Sequence, residues 1–245
     1  MKTFVKELTN SGVTLTAYLP AASDEIPNYK KRPAMLVIPG GAYKMCSDRE
    51  AEPVALAFLA KGYAAFVLRY SVGKGAAKFP TPLNDAEEAL ELITENSDEW
   101  GIERDHIAAI GFSAGGHLCA ALGTIGRIKP AACVLGYPCI LSSISDILAE
   151  PVPSLDEAVT ADTPPTFIFA TREDTTVPIA NSLAYACALE KAEVPFEIHI
   201  FEKGYHGFSL GNSLVYGDKA AAEYNSHTSV WLDMCISWLN KRFGR

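Results

Sequence analysis

Short apolar runs rich in β-branched residues alternate along this chain with longer stretches whose apolar positions recur at helical spacing. "TFVKEL" and "VTLTAYL" flank the turn Asn10-Ser11-Gly12 and predict an antiparallel pair of strands. Ala34 to Ile38 is an unbroken apolar strand, stopped by Pro39 and two glycines. A helix opens near Glu52-Pro53 and closes at Gly62, the arrangement of Pro and Gly that suits the two ends of a helix. "YAAFVLRY" is the next strand. Pro82 then sits in the first turn of a helix whose Leu83, Ala86, Leu90 and Ile93 share one face. "IAAIGF" is a strand, and a helix begins at Ser113.

The second half keeps this rhythm. "AACVLGYP" and "TPPTFIFATRED" read as strands, "PIANSLAYACALEKAE" as a helix, "PFEIHIFEKG" as the last strand, and "KAAAEYNSHTSVWLDMCISWLNKRF" as a single C-terminal helix. Continuous apolar strands joined by helices predict an α/β fold with a mostly parallel central sheet covered by helices on both faces. Residues 139–163 are less regular, long enough for a short helix and an excursion over the top of the sheet. With no internal repeat or low-complexity linker, residues 1–245 read as one domain.

Composition narrows the function classes. A 49% hydrophobic, 20% charged chain can build a substantial core and is not disordered. Its net charge of −8 disfavours nucleic acid and anionic membrane as partners. The first twenty residues hold no apolar stretch of signal-peptide length, and nothing reaches the roughly 18 apolar residues of a membrane span, so a cytoplasmic location is the expectation. Cys46, Cys119, Cys133, Cys139, Cys187 and Cys235 are scattered without a CxxC pair, and read as small buried hydrophobes more than as disulfides or zinc ligands.

The chemistry gathers around "AAIGFSAGGHLCA". Gly111-Phe112-Ser113-Ala114-Gly115 lies between a strand and a helix, where small residues on either side allow a sharp turn that projects a serine over a helix N-terminus. The alternative is a Gly-rich turn with a serine cap. A serine nucleophile needs a base. Among the five histidines, His106 precedes the strand that leads to Ser113, His117 lies a turn into the next helix, His199 is inside the last strand and His227 is in the C-terminal helix. His206 alone follows a strand in a loop, between Gly204 and Gly207. Asp174 ends the preceding strand and could orient the imidazole, with Glu173 a competitor. The chain order Ser, Asp, His is that of α/β hydrolases. Backbone N–H groups of Gly41 and Ala42 after the third strand, with that of Ala114, could form an oxyanion hole, although Pro-Gly-Gly is also an ordinary turn. Tyr43 and Tyr137 follow strands at the same rim and could line the alcohol side of a substrate or simply pack. Arg49 and Arg69 could pair with Asp85 or Glu52.

Taken together, "IPGGAY", "SDREAEPVALAFLAKGYAAFVLRYSV", "PLNDAEEALELI", "WGIERDHIAAIGFSAGGHLCA" and "EDTTVPIANSLAYACALEKAEVPFEIHIFEKGYHGFSL" resemble the small α/β-hydrolase esterases related to bacterial acetyl, acetylxylan and feruloyl esterases, over about residues 10–240. The resemblance implies Ser113 as nucleophile, Asp174 as acid and His206 as base, with no cofactor and no metal. It implies a short-chain ester or an acetylated oligosaccharide as substrate, no large lid, and leaves a homo-oligomer open. Oxyanion loops in that family often read His-Gly-Gly-Gly. Here the stretch is Pro39-Gly40-Gly41-Ala42, so only backbone donors carry over. A prolyl-oligopeptidase-type peptidase and a catalytically dead binding fold are the rival readings.

Overall fold

A computed structural model describes residues 1–26 and 30–245. Eight strands form one sheet in the order β1-β2-β4-β3-β5-β6-β7-β8. β1 (Lys2–Glu7), β2 (Thr14–Leu19) and β4 (Ala64–Arg69) pair antiparallel. From β4 onward the pairing is parallel through β3 (Arg32–Ile38), β5 (Ile102–Phe112), β6 (Ala132–Gly136), β7 (Thr166–Thr171) and β8 (Phe196–Phe201).

The two faces of the sheet bury alternate residues of the same strands, as the two-residue side-chain period requires. Ala34, Leu36 and Ile38 of β3 face one core, with Leu83, Leu90 and Ile93 of α2 (Thr81–Glu95) and Leu118 of α3 (Ala114–Thr124). Met35 and Val37 face the other, with Phe58 of α1 (Glu52–Ala60) and Trp231, Cys235 and Trp238 of the C-terminal helix. α4 (Ala180–Lys191) adds Tyr185 and Leu189 to the first core. Every residue of α3 is buried, which explains a helix with no polar face. This is the α/β-hydrolase architecture, and among the described residues no large lid covers it. Among the described residues no helix is long and apolar enough to cross a membrane.

The structure departs from the sequence reading in three places. β5 begins at Ile102, five residues before the apolar run, because its polar first half lies at the sheet rim and pairs with β3 through a register shift. The C-terminal segment is two helices, α5 (Lys219–Asn225) and α6 (Trp231–Arg242), separated by a 3-10 turn over Ser226–Val230. Hydroxyls of Ser226, Thr228 and Ser229 donate to carbonyls three residues back, at 2.8, 2.7 and 2.7 Å, and so compete with the helical ladder. His227 lies in this turn, where its Nε2 donates to the Lys203 carbonyl at 3.1 Å. Cys187 is exposed, whereas Cys119, Cys133, Cys139 and Cys235 are buried thiols as their apolar surroundings indicate.

Residues 139–163 do cross the carboxyl rim of the sheet. A 3-10 turn at Ser142–Ile147 is followed by irregular chain. Three polar ties hold it down. Asn181 Oδ1 accepts the N–H groups of Ile140 and Leu141, Ala149 N–H donates to the Ala42 carbonyl, and His117 Nε2 reaches the Pro153 carbonyl.

Candidate active site

Ser113 sits where β5 becomes α3, with φ 53° and ψ −119°, a strained conformation for a residue bearing a Cβ. The glycines around it make the strain affordable. A Cβ on Gly111 would stand 2.0 Å from the Gly115 carbonyl oxygen, and one on Gly115 would stand 2.2 Å from that of Ile38. The turn is pinned by its backbone: Ser113 N–H donates to the Gly136 carbonyl at 3.0 Å, and its own carbonyl accepts from His117 and Cys139 N–H at 3.0 Å each. The hydroxyl is thereby held over the N-terminus of α3, whose first N–H groups have no partner within the helix and favour negative charge.

His206 Nε2 lies 2.9 Å from Ser113 Oγ, and His206 Nδ1 lies 2.6 Å from Asp174 Oδ2. A carboxylate only accepts, so Nδ1 carries the proton and Nε2 offers a lone pair to the serine hydroxyl. The other oxygen of Asp174 accepts N–H groups of Thr176 and Val177, both at 2.9 Å, which fixes the carboxylate at the end of β7. Gly204, at φ 135°, lets the His206 loop turn back onto β7, where Thr171 Oγ1 donates to its carbonyl at 2.9 Å. Glu173, the competing acid, is instead taken by the Tyr224 hydroxyl.

A cavity of about 220 Å³ opens beside Ser113 and His206 and is lined by Gly41, Ala42, Met45, Ile147 and Thr176 among others. Gly41 and Ala42 adopt φ 125° and 57°, and Lys44 and Met45 N–H fold back onto the Gly41 carbonyl. Their loop therefore presents its backbone to the same space as the hydroxyl. Cys139 also borders the serine, but burial pushes its thiol up to about 12, so it remains a neutral thiol.

The two tyrosines are not in this cavity. Tyr43 is buried, and its hydroxyl donates to His117 Nδ1 at 2.9 Å. His117 must then protonate Nε2, which donates to the Pro153 carbonyl at 3.0 Å. Its complete burial pushes its pKa down to about 4, so this histidine is a neutral tie between helix, loop and rim segment. Tyr137 is equally buried, its ring edge-on to His206 at 5.1 Å and its hydroxyl donating to Glu50 Oε1 at 2.6 Å. Both rings are therefore walls of the machinery behind the cavity rather than a sugar platform. The expected arginine pairings also differ. Arg69 binds Asp48 at 2.5 Å, Asp85 accepts from Asn10 and from Ser71 N–H, and Glu52 accepts from the Tyr18 hydroxyl.

Sequence reasoning missed Glu50. It is 2% exposed, and its Oε2 accepts the Gly40 N–H at 2.8 Å. In "SDRE" it reads as one more solvated charge, and only the 3-10 turn at Asp48–Glu50 swings it inward.

Comparison with known proteins places the fold in a family. The model of the dienelactone hydrolase family matches residues 77–236, and that of BD-FAE matches residues 17–136. The chain is an α/β hydrolase of the dienelactone hydrolase family. The hydrolase superposes on MGS-M1, an α/β-hydrolase enzyme from a Medee basin deep-sea metagenome library, with a TM-score of 0.94 and 46% identity over 100% of this chain and 99% of that one. It is 34% identical to an acetyl ester-xyloside bifunctional hydrolase from Caldicellulosiruptor lactoaceticus, with a TM-score of 0.80 over 95% and 88% of the two chains. Among curated relatives, it is 33% identical over 82% of its length to endo-1,4-beta-xylanase B of Butyrivibrio fibrisolvens, and 28% identical over 89% to an acetylxylan esterase of Xylanibacter ruminicola. The chain spans only 36% and 48% of those two relatives.

Proposed function

We propose that this hydrolase is a serine carboxylesterase that removes short acyl groups, acetyl above all, from carbohydrate esters. The observation that carries the reading is the unbroken line from Asp174 through His206 to Ser113, at 2.6 and 2.9 Å, ending beside a cavity. In this reading Ser113 Oγ attacks the ester carbonyl while His206 Nε2 takes its proton. Asp174 stabilises the imidazolium that results. Ala114 N–H, with Gly41 and Ala42 N–H, receives the oxyanion, and Tyr43 holds the loop from behind. His206 then returns its proton to the leaving alcohol, and water repeats the cycle on the acyl-enzyme.

The acetyl preference has two supports. About 220 Å³ walled by Met45, Ile147 and Thr176 suits a small acyl group, and relatives include an acetylxylan esterase and an acetyl ester hydrolase. A panel of acetyl, butyryl, octanoyl and feruloyl esters, run beside acetylated xylo-oligosaccharides, tests it. The expected order has acetyl esters fastest in kcat/KM, with acetate released from the oligosaccharides. Faster hydrolysis of feruloyl or octanoyl esters would overturn the acyl assignment, and cleavage of short peptides without ester turnover would overturn the reaction class.

A further inference from the structure

Glu50 is a buried acid whose two hydrogen-bond donors are both neutral. Its Oε2 accepts Gly40 N–H at 2.8 Å and its Oε1 accepts the Tyr137 hydroxyl at 2.6 Å. The direction of the second bond is settled by a neighbour: Ser209 N–H donates to the Tyr137 oxygen at 3.0 Å, so the phenol's own proton points to Glu50. Both carboxylate oxygens thus act as acceptors, a pattern that fits the ionised group even though burial pushes its pKa upward. Keeping an anion in such a place costs several kcal/mol, which two neutral hydrogen bonds offset only in part.

What Glu50 touches identifies the task. Gly40 is wedged between this carboxylate and the elbow, since a Cβ there would lie 2.7 Å from Glu50 Oε2, 2.7 Å from the Phe112 carbonyl oxygen and 3.0 Å from Ser113 Cβ. The next two residues, Gly41 and Ala42, line the cavity, as does Glu50 itself. On its other side, Glu50 holds the ring that backs the His206 imidazole at 5.1 Å. The same residue therefore grips the loop of the oxyanion donors and the wall of the base. Its carboxylate also lies within electrostatic reach of the His206 ring.

Building on the assignment of Ser113, His206 and Asp174 above, we propose that Glu50 is a positioning residue for the reaction, clamping the Gly40–Ala42 loop to Tyr137 so that oxyanion donors and imidazole stay in register with Ser113. The test compares Glu50→Gln and Tyr137→Phe with the parent and with Ser113→Ala on p-nitrophenyl acetate, with rates normalised to sites titrated by a fluorophosphonate probe, and for Ser113→Ala, which has no titratable serine, to protein concentration. Glutamine keeps the shape but turns an NH₂ toward one of the two donors. Its kcat should fall on the order of 10- to 100-fold, with KM within about twofold. A trifluoromethyl ketone, which mimics the tetrahedral oxyanion, should lose affinity in proportion to kcat/KM. Tyr137→Phe keeps the ring behind His206 and should lose less, roughly three- to tenfold in kcat. It carries the test should Glu50→Gln not fold. A merely structural role lowers the fraction of titratable sites and leaves kcat per site and inhibitor affinity unchanged, and that result overturns the proposal. If Ser113→Ala still turns over, the assignment of the nucleophile falls, and this proposal with it. If Ser113→Ala is dead and both variants match the parent per site, the Glu50 proposal alone falls.

Discussion

The two ends of strand β5 offer a comparison between hollows. At the amino end, His106 Nδ1 meets Glu103 Oε2 at 2.8 Å beside a groove of about 560 Å³ that also touches Lys31, Phe243 and Arg245. At the carboxyl end, His206 Nδ1 meets Asp174 Oδ2 at 2.6 Å beside a cavity of about 220 Å³. Each end has an imidazole on a carboxylate, and the larger hollow is at the amino end. What differs is the surroundings of the histidine. The His106 ring is stacked on Phe243 at 4.6 Å, and among the described residues no hydroxyl is hydrogen-bonded to its second nitrogen. The second nitrogen of His206 meets a serine held at a strained turn, at the rim where α3 presents unpaired N–H groups. Volume does not decide where chemistry can happen. In the reading proposed above, convergence of a nucleophile, a base with a fixed tautomer and backbone donors does.

The sharpest way to break this comparison is to remove the group that only the carboxyl end has. Ser113→Ala should reduce p-nitrophenyl acetate turnover by at least roughly 10⁴-fold while the melting curve stays in place. Retained turnover in a folded variant would move the chemistry elsewhere. Asp174→Asn is next, with an expected loss of about 10³-fold or more in kcat. An amide NH₂ facing His206 Nδ1 forces the proton onto Nε2, which then points a donor at Ser113. The pH profile should show the same collapse at every pH, since the fault is the tautomer and not a titration.

Much of the carboxyl end was legible from residue types. Gly111, Ser113 and Gly115 announce the elbow because only small residues allow strand and helix backbones to approach within 2–3 Å of where a Cβ would be. His206 stood out because it alone among the histidines follows a strand in a glycine-flanked loop. The single C-terminal helix was wrong because periodicity does not register hydroxyls that bond to carbonyls three residues back. Tyr43 and Tyr137 misled for a related reason. A tyrosine after a strand looks like a lining residue, but partners from distant parts of the chain, His117 and Glu50, draw both hydroxyls inward. Glu50 itself carried no signal, since its burial depends on contacts with Gly40 and Tyr137, ten and 87 positions away.

His117 sharpens the contrast from within the carboxyl end, being a histidine near Ser113 that is built not to exchange protons. Its folded pKa of about 4 lies below the ordinary value near 6.5, so the unfolded chain takes up the proton first. Its contribution to stability is therefore complete above about pH 6.5 and is lost as the pH falls toward 4, by about 3 kcal/mol in all. His117→Gln removes this titration. Between pH 7 and pH 4.5 the parent should lose about 2–3 kcal/mol more unfolding free energy than the variant, measured from urea midpoints at both pH values. Equal losses in the two proteins would mean that His117 is protonated while folded, and that the tie to Tyr43 and Pro153 opens.

The smallest effect belongs to the other end of the strand, and it is the control that gives the rest their meaning. His106 and Glu103 are each roughly a third exposed, at 31% and 28% of their side chains, so their pairing is screened by solvent. His106→Gln should change stability by less than about 1 kcal/mol and kcat/KM on p-nitrophenyl acetate by less than about twofold. Among the described residues the groove there is lined by cations and a carboxylate without a nucleophile, and the helix N-terminus that favours negative charge lies at the opposite rim of the sheet. A tenfold loss of turnover in this variant would show that the two ends of β5 are energetically coupled through the strand itself. That strand would then have to be treated as part of the active site along its whole length, rather than as a rigid mount for the serine at its tip.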